Sequence, residues 1–353
     1  MPVVPSATLI DYVARIFASL GSPQDEAHRV ADHLVGANLR GHDSHGVIRV
    51  SGYVTYAQNG TLKPGATRRV ERESASTALI DGGWNFGPVV AHEATELAIT
   101  KARETGIGWV SAHNCGHAGR IGAYGEQIVR TGMIAFGGVN TPGGRFVAAF
   151  GGAHRRLGTN PIMIAVPGPT PEEPFVVDMA TSVVAEGKMR VAVNKGVQVA
   201  PQQIIDGDGN PTTEPRDFYG TGDNSTLGAL LPVGGEGGGY KGFALSVAIE
   251  ALGGVLSGAG TSVEGPRGSN GLFMMALDPA RFGEAAAFTS MFTTLLGFVK
   301  EPPYAPGVNE VLTAGEPERR MMAQRLASGI TLDDETWKQL GAAAESAGTA
   351  ALA

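Results

Sequence analysis

The chain has a single cysteine, Cys115, so no internal disulfide can form and the sequence suits a reducing compartment. No segment supplies the roughly eighteen uninterrupted apolar residues of a membrane helix. The start, Met1-Pro2-Val3-Val4-Pro5, lacks the basic flank and apolar stretch of a secretion signal, so a cytoplasmic protein without a membrane partner is expected. Positive charge is also scarce: 27 Lys and Arg face 34 Asp and Glu, a net charge of −7 with no basic cluster, and nucleic acid is not an expected partner. Several signatures are missing as well. There is no G-x-G-x-x-G followed by a spaced acid, no Walker sequence, no nucleophile elbow and no zinc-protease helix. An ordinary Rossmann domain, phosphoryl transfer and acyl transfer all lose ground.

What is present describes a globular enzyme-sized chain: 353 residues, 42% hydrophobic, 17% charged, with 52 glycines in no collagen period. Two packed domains are expected. The densest chemistry lies in Gly41-His42-Asp43-Ser44-His45-Gly46-Val47-Ile48-Arg49, with Tyr53 four residues on. An imidazole titrates near neutrality, so His45 can exchange a proton with a substrate oxygen while Ser44 and a distant carboxylate orient its ring. Arg49 offers a planar fork that fits a carboxylate. Turn formation and capping are the competing explanation for the same residues.

Around this loop the periodicity predicts helices. Leu9, Val13, Ile16, Phe17 and Leu20 keep the helical spacing, with Ser6 as cap and Gly21 as stop; Ser22-Pro23 restarts a helix through Val30, Leu34 and Val35. From residue 77 the pattern becomes α/β: strands at 77–80, 108–112, 133–137, 161–166 and 175–179, and helices at 88–104, 122–130 and 241–256. The end returns to helix, with Thr331 as the expected cap of a segment holding Trp337 and Leu340. No internal repeat emerges.

Further constellations sit within this frame. His113-Asn114-Cys115-Gly116-His117-Ala118-Gly119-Arg120-Ile121-Gly122 joins a strand to a helix, where amides and the helix dipole receive an anion that Arg120 would reinforce. His113, Cys115 and His117 lack zinc-site spacing, so no metal is expected. Leu157-Gly158-Thr159-Asn160-Pro161 is either a binding turn or a plain one. Asp178, at the end of an apolar strand, either orients a histidine or caps the segment after it. Gly234-Gly235-Glu236-Gly237-Gly238-Gly239-Tyr240-Lys241 presents bare backbone before a helix, and Gly315-Glu316-Pro317-Glu318 is a turn with Pro at a helix start.

Taken in order, His42-Asp43-Ser44-His45-Gly46, His117-x-Gly119, Leu157-Gly158-Thr159-Asn160-Pro161, Asp178-Met179-Ala180-Thr181-Ser182, Gly187-Lys188, Tyr240-Lys241-Gly242 and Gly315-Glu316 resemble the malate/L-lactate dehydrogenase family, which lacks a Rossmann fold. The correspondence spans nearly the whole chain, and Gly196-Val197, the turn at 206–211 and Leu227-Gly228-Ala229-Leu230-Leu231-Pro232 look most like its hydroxycarboxylate dehydrogenase B branch. The resemblance implies an α/β fold in which a mixed-sheet cofactor domain, residues 76–299, packs on a mainly helical domain built from both chain ends, 1–75 and 300–353. It implies hydride transfer between NAD or NADP, NAD preferred, and a 2-hydroxy/2-oxo carboxylic acid in a homodimer. On matching positions His45, His117, Ser44 and Asp178 are catalytic, and Arg49 and Tyr53 face the substrate. The cofactor falls to His45, Gly119, Arg120, Ile121, Thr159, Asn160, Val176, Val177, Asp178, Met179, Ala180, Tyr240, Lys241, Asn270, Gly315, Glu316, Pro317 and Glu318. The loop 236–239 is longer than the family's compact type, and Arg49 stands where the branch is apolar. A reductase of cyclic imino acids, a ureidoglycolate-type dehydrogenase and, from another class, a non-enzymatic small-anion binding protein therefore stay open.

Overall fold

The structure, a computed structural model, describes residues 1–220, 226–266 and 268–352, with backbone only for 194, 195 and 236. Helices α1 (Ser6–Ser19) and α2 (Gln24–Leu39) bury the apolar faces that their spacing predicts, with Leu9, Val13, Ile16, Phe17, Val30 and Leu34 all at 0% exposure. α3 (Val50–Gln58) and α10 (Asp334–Ser346) share their core through Tyr53, Val54, Leu340 and Ala344. The chain ends meet where β1 (Val3–Val4) pairs with β14 (Ile330–Thr331). Thr331 therefore belongs to a ladder and not to a cap: Asp333 caps α10, its carboxylate accepting the Thr336 amide at 2.8 Å. Ser6 likewise lies inside α1, whose start at Pro5 has no side-chain cap.

The larger sheet has seven strands in the order β2 (Arg69–Glu73), β3 (Thr77–Asn85), β4 (Ile107–Gly116), β13 (Ser269–Leu277), β5 (Ile134–Asn140), β8 (Ile162–Val166), β9 (Phe175–Met179). Only β3 and β4 run parallel, joined by α4 (Gly87–Thr105), which starts on Pro88 and stops at left-handed Gly106. All other neighbours are antiparallel. β13 was absent from the sequence-based expectation; its Leu272, Phe273 and Met274 are at 0% exposure, the unbroken apolar pattern of a strand covered on both faces. α4 and α5 (Gly122–Val129) bury one face of the sheet.

A smaller sheet of two- and three-residue strands runs β11 (Pro211–Thr212), β10 (Ile204–Ile205), β12 (Ala229–Leu230), β6 (Val147–Ala148), β7 (Arg155–Leu157). Its Val147, Ile204 and Leu230 pack with Met189 of α6 (Glu186–Lys195). α7 (Gly235–Ile249) starts six residues before the expected Lys241, so the glycine run forms the first turns of a helix instead of an open loop. Beyond it, Glu250–Val255 widens to a π-helical turn. α8 (Ala285–Phe298) buries no residue, and α9 (Glu316–Ser328) starts at Gly315 with Pro317 in its first turn. No helix among the described residues is long and apolar enough to cross a membrane.

Candidate active site

Two short 3-10 turns, Asp43–His45 and Val47–Arg49, carry the polar loop after α2. Asn38 fastens both: its oxygen accepts the Val47 amide at 2.9 Å and its nitrogen donates to Asp43 Oδ1 at 2.6 Å. Arg325 of α9 grips Asp43 through two more bonds of 2.6 and 3.0 Å, so Asp43 is a structural tie. The neighbouring side chains are thereby set. Ser44 Oγ stands 3.1 Å from His45 Nδ1, which leaves His45 Nε2 for a substrate. Arg49 Nε donates to the Ser44 carbonyl at 2.6 Å.

Behind His45 lies His117, their rings stacked at 5.6 Å between centroids. Tyr53 donates its hydroxyl to the His117 carbonyl at 2.9 Å, and the same oxygen is 2.9 Å from His117 Nδ1. With its proton committed to the carbonyl, Tyr53 accepts from Nδ1–H, which assigns the tautomer that keeps the Nε2 lone pair free. Burial, helped by the Arg49 cation, pushes His45 down to about 3 and His117 well below its ordinary value. Both rings are neutral at physiological pH.

The opposite wall is the loop after β4. Asn270 of β13 accepts the Ala118 amide at 2.7 Å, and Tyr124 donates to the Ala118 carbonyl at 2.6 Å. Gly119 is left-handed, φ +75°, and a Cβ there would lie 2.2 Å from His33 Nε2, so only glycine lets α2 approach this closely. Arg120 is 4% exposed; its Nη2 meets Glu126 at 2.8 Å, and its Nε is 3.8 Å from Asp178. Asp178 accepts the Gly122 amide at 2.7 Å, so it caps α5, an earlier helix, and makes no hydrogen bond to a histidine among the described residues. Burial raises its pKa against the opposing pull of Arg120 and the Gly122 amide.

These walls enclose a cavity of about 270 Å³. It gathers Ser44, His45, Gly119, Arg120, Ile121, Thr159, Asp178, Met179 and Ala180 of the expected residues. Lys188 also faces it, an anion-binding group that the sequence showed only within the Gly187-Lys188 pair, with no role of its own. Gly187 brings α6 so near that a Cβ would lie 2.7 Å from Ser44 Cβ and 3.3 Å from Arg49 Nη2. A second cavity, about 440 Å³, holds Val176, Gly315 and Glu318. The two adjoin where His42 of the first pairs with Glu318 of the second at 3.3 Å.

Other expected residues lie elsewhere. Asn160 is fully buried and donates to Ser246 and Glu250 at 3.0 and 2.9 Å; Asn270 is the clamp on Ala118. Val177 pairs with Ile164 inside the sheet, and Glu316 is bound to Lys300 at 2.6 Å. Tyr240 and Lys241 are exposed on α7 and line neither cavity, and Pro317 serves the start of α9. His113, Cys115 and His117 turn to Glu71, the Asn270 carbonyl and Tyr53 respectively, and no metal-ligand cluster of three occurs among the described residues.

A family model for malate/L-lactate dehydrogenase matches residues 4–341. The chain belongs to the malate/L-lactate dehydrogenase family. It is 36% identical to hydroxycarboxylate dehydrogenase B of Escherichia coli O157:H7, covering 97% of this chain and 93% of that protein. A solved malate dehydrogenase from Pyrococcus horikoshii OT3 superposes with a TM-score of 0.88 at 35% identity over 99% of this chain and 97% of that one. The delta1-piperideine-2-carboxylate reductase of Pseudomonas syringae gives 0.83 at 27% identity over 97% and 100%. Membership in the malate/L-lactate dehydrogenase family makes the chain an oxidoreductase of hydroxy acids, and the family suggests a nicotinamide cofactor. Two features suit that group: the left-handed Gly119 and the buried guanidinium of Arg120 beside it on the cavity wall.

Proposed function

We propose that the protein interconverts a 2-hydroxy and a 2-oxo carboxylic acid with NAD or NADP, in the 270 Å³ cavity where His45, Lys188 and the Gly119-Arg120 loop meet. The observation that carries this is the convergence of a neutral imidazole and a lysine ammonium on one small cavity beside a glycine-and-arginine anion cradle. The cofactor, held by Gly119, Arg120, Ile121, Asp178 and, in the adjoining cavity, Val176, Gly315 and Glu318, supplies or takes the hydride when bound. Lys188 holds the carboxylate from the cavity wall, Arg49, which does not line the cavity but is fixed on the Ser44 carbonyl at 2.6 Å, adds its charge from behind, and His45 Nε2 exchanges the proton of the substrate oxygen. Ser44 steadies His45, while Tyr53 and His117 form the backing that fixes its plane. Only a neutral ring can accept the hydroxyl proton in the oxidative direction.

A homodimer is part of this proposal: α8 is uncovered along its length, with Met291 and Phe298 near 70% exposure, and a second copy is the occupant it suits. The deciding experiment is a reductive screen of 2-oxo acids and cyclic imines with NADH and NADPH, read by absorbance at the cofactor band. Turnover of oxo acids is expected. Turnover of cyclic imines alone would reassign the substrate to the class named for the Pseudomonas syringae neighbour, and ligand binding without any turnover would leave a binding protein.

A further inference from the structure

A third cavity, about 450 Å³, opens between α2, α4 and α5 and carries four guanidinium groups, Arg29, Arg40, Arg120 and Arg130. Asp25, Asp32 and Glu126 are the carboxylates on its wall. Glu126 is shared: Arg40 chelates it at 3.0 and 2.6 Å, and Arg120 reaches it at 2.8 Å. Asp25 and Asp32 sit at the exposed rim. Inside, Arg120 retains two nitrogens without hydrogen-bond partners among the described residues. Buried donors without acceptors are costly, and guanidiniums crowded together repel one another. Burial and the nearby Arg120 and Arg130 lower the Arg40 pKa against the pull of Glu126, a sign of that crowding.

An anion removes both costs at once. A phosphate group presents several acceptor oxygens and a double charge to forks arriving from α2 and from both ends of α5, which a single planar carboxylate cannot match. We propose that this cavity binds the phosphate group of a small phosphorylated metabolite, at a site that shares Arg120 with the reaction cavity and Arg40, Glu126 and Arg130 with the second cavity but has Arg29 and His92 to itself.

Calorimetric titration of the full-length protein with inorganic phosphate at constant ionic strength tests this, with and without saturating NADH. Saturable binding is expected in both conditions. Arg29 and His92 line this cavity and neither of the other two. R29Q should raise the phosphate Kd at least tenfold and H92Q severalfold, with melting temperatures near that of the parent and partial recovery in R29K. The proposal falls if phosphate does not saturate, if R29Q binds it as the parent does, or if NADH displaces it stoichiometrically, which would place the phosphate in the cofactor groove. A protein that takes phosphate yet fails to bind NADH would overturn the proposed cofactor and leave this site standing.

Discussion

At the scale of single residues, the site is built on committed hydrogen bonds. His45→Ala should lower turnover about a hundredfold or more if His45 exchanges the substrate proton; near-normal turnover in steady-state kinetics would remove it from that role. Tyr53→Phe deletes the donor to the His117 carbonyl and frees Nδ1 to change tautomer. It should cost about 1 kcal/mol of stability and shift the pH profile of turnover, whereas a merely structural tyrosine would leave that profile in place. Lys188→Ala should raise the KM for oxo acids more than it lowers kcat, since the cation holds ground and transition states alike. Ser44 and His45 could be placed at the cavity from the sequence because so many reactive groups crowd one loop, whereas Arg49 of the same loop turns to the Ser44 carbonyl and does not line it. Lys188 was not weighed, because a lysine on a helix ordinarily marks a solvated face, and only the approach of α6 to Ser44 turns this one to the cavity.

Among the elements, the turn from β4 into α5 decides how the anion cradle is formed. Gly119→Ala places a Cβ 2.2 Å from His33 in a backbone conformation that alanine resists, so α2 or the cradle must move. Dinucleotide affinity, read by fluorescence titration, should fall at least tenfold, and an unchanged affinity would separate the cradle from the cofactor. Asp178→Ala removes the α5 cap and should cost about 1–2 kcal/mol in denaturant unfolding. Elements whose signals are local were readable almost to the residue: the expected strand at 175–179 is Phe175–Met179, and the expected helix at 122–130 is Gly122–Val129. Partners distant in sequence were not. Asp178 looked like a cap for the segment after it, because nothing in its sequence neighbourhood reports that β9 ends against a helix begun at Gly122. The glycines before Tyr240 likewise read as loop on their low helix propensity, which packing overrides.

For the molecule as a whole, buried histidines set the response to acid. His33 and His45 are held at about 3, and His117 well below its ordinary value, chiefly by burial. A depressed histidine stays neutral in the fold and takes up a proton on unfolding. Its stabilisation is therefore complete above the unfolded value near 6.5 and drains away as pH falls toward the folded one. Each contributes at most about 1.4 kcal/mol per pH unit across that window, opposed by Asp178, whose raised pKa acts in the other sense. Unfolding free energy should decline from pH 6.5 to 4, and His33→Asn should flatten the slope; equal slopes would show that His33 does not contribute. The uncovered α8 makes a matching prediction about assembly. Met291→Glu with Phe298→Glu should halve the mass seen by light scattering if a second copy covers that helix. The central place of β13 has a further consequence during synthesis. Because Ser269–Leu277 separates β4 from β5, a growing chain that has not yet delivered those residues carries two bare strand edges in the middle of its largest sheet. The nascent protein must hold these edges apart from other chains until three-quarters of its length has left the ribosome, and the halves of the sheet can join only then.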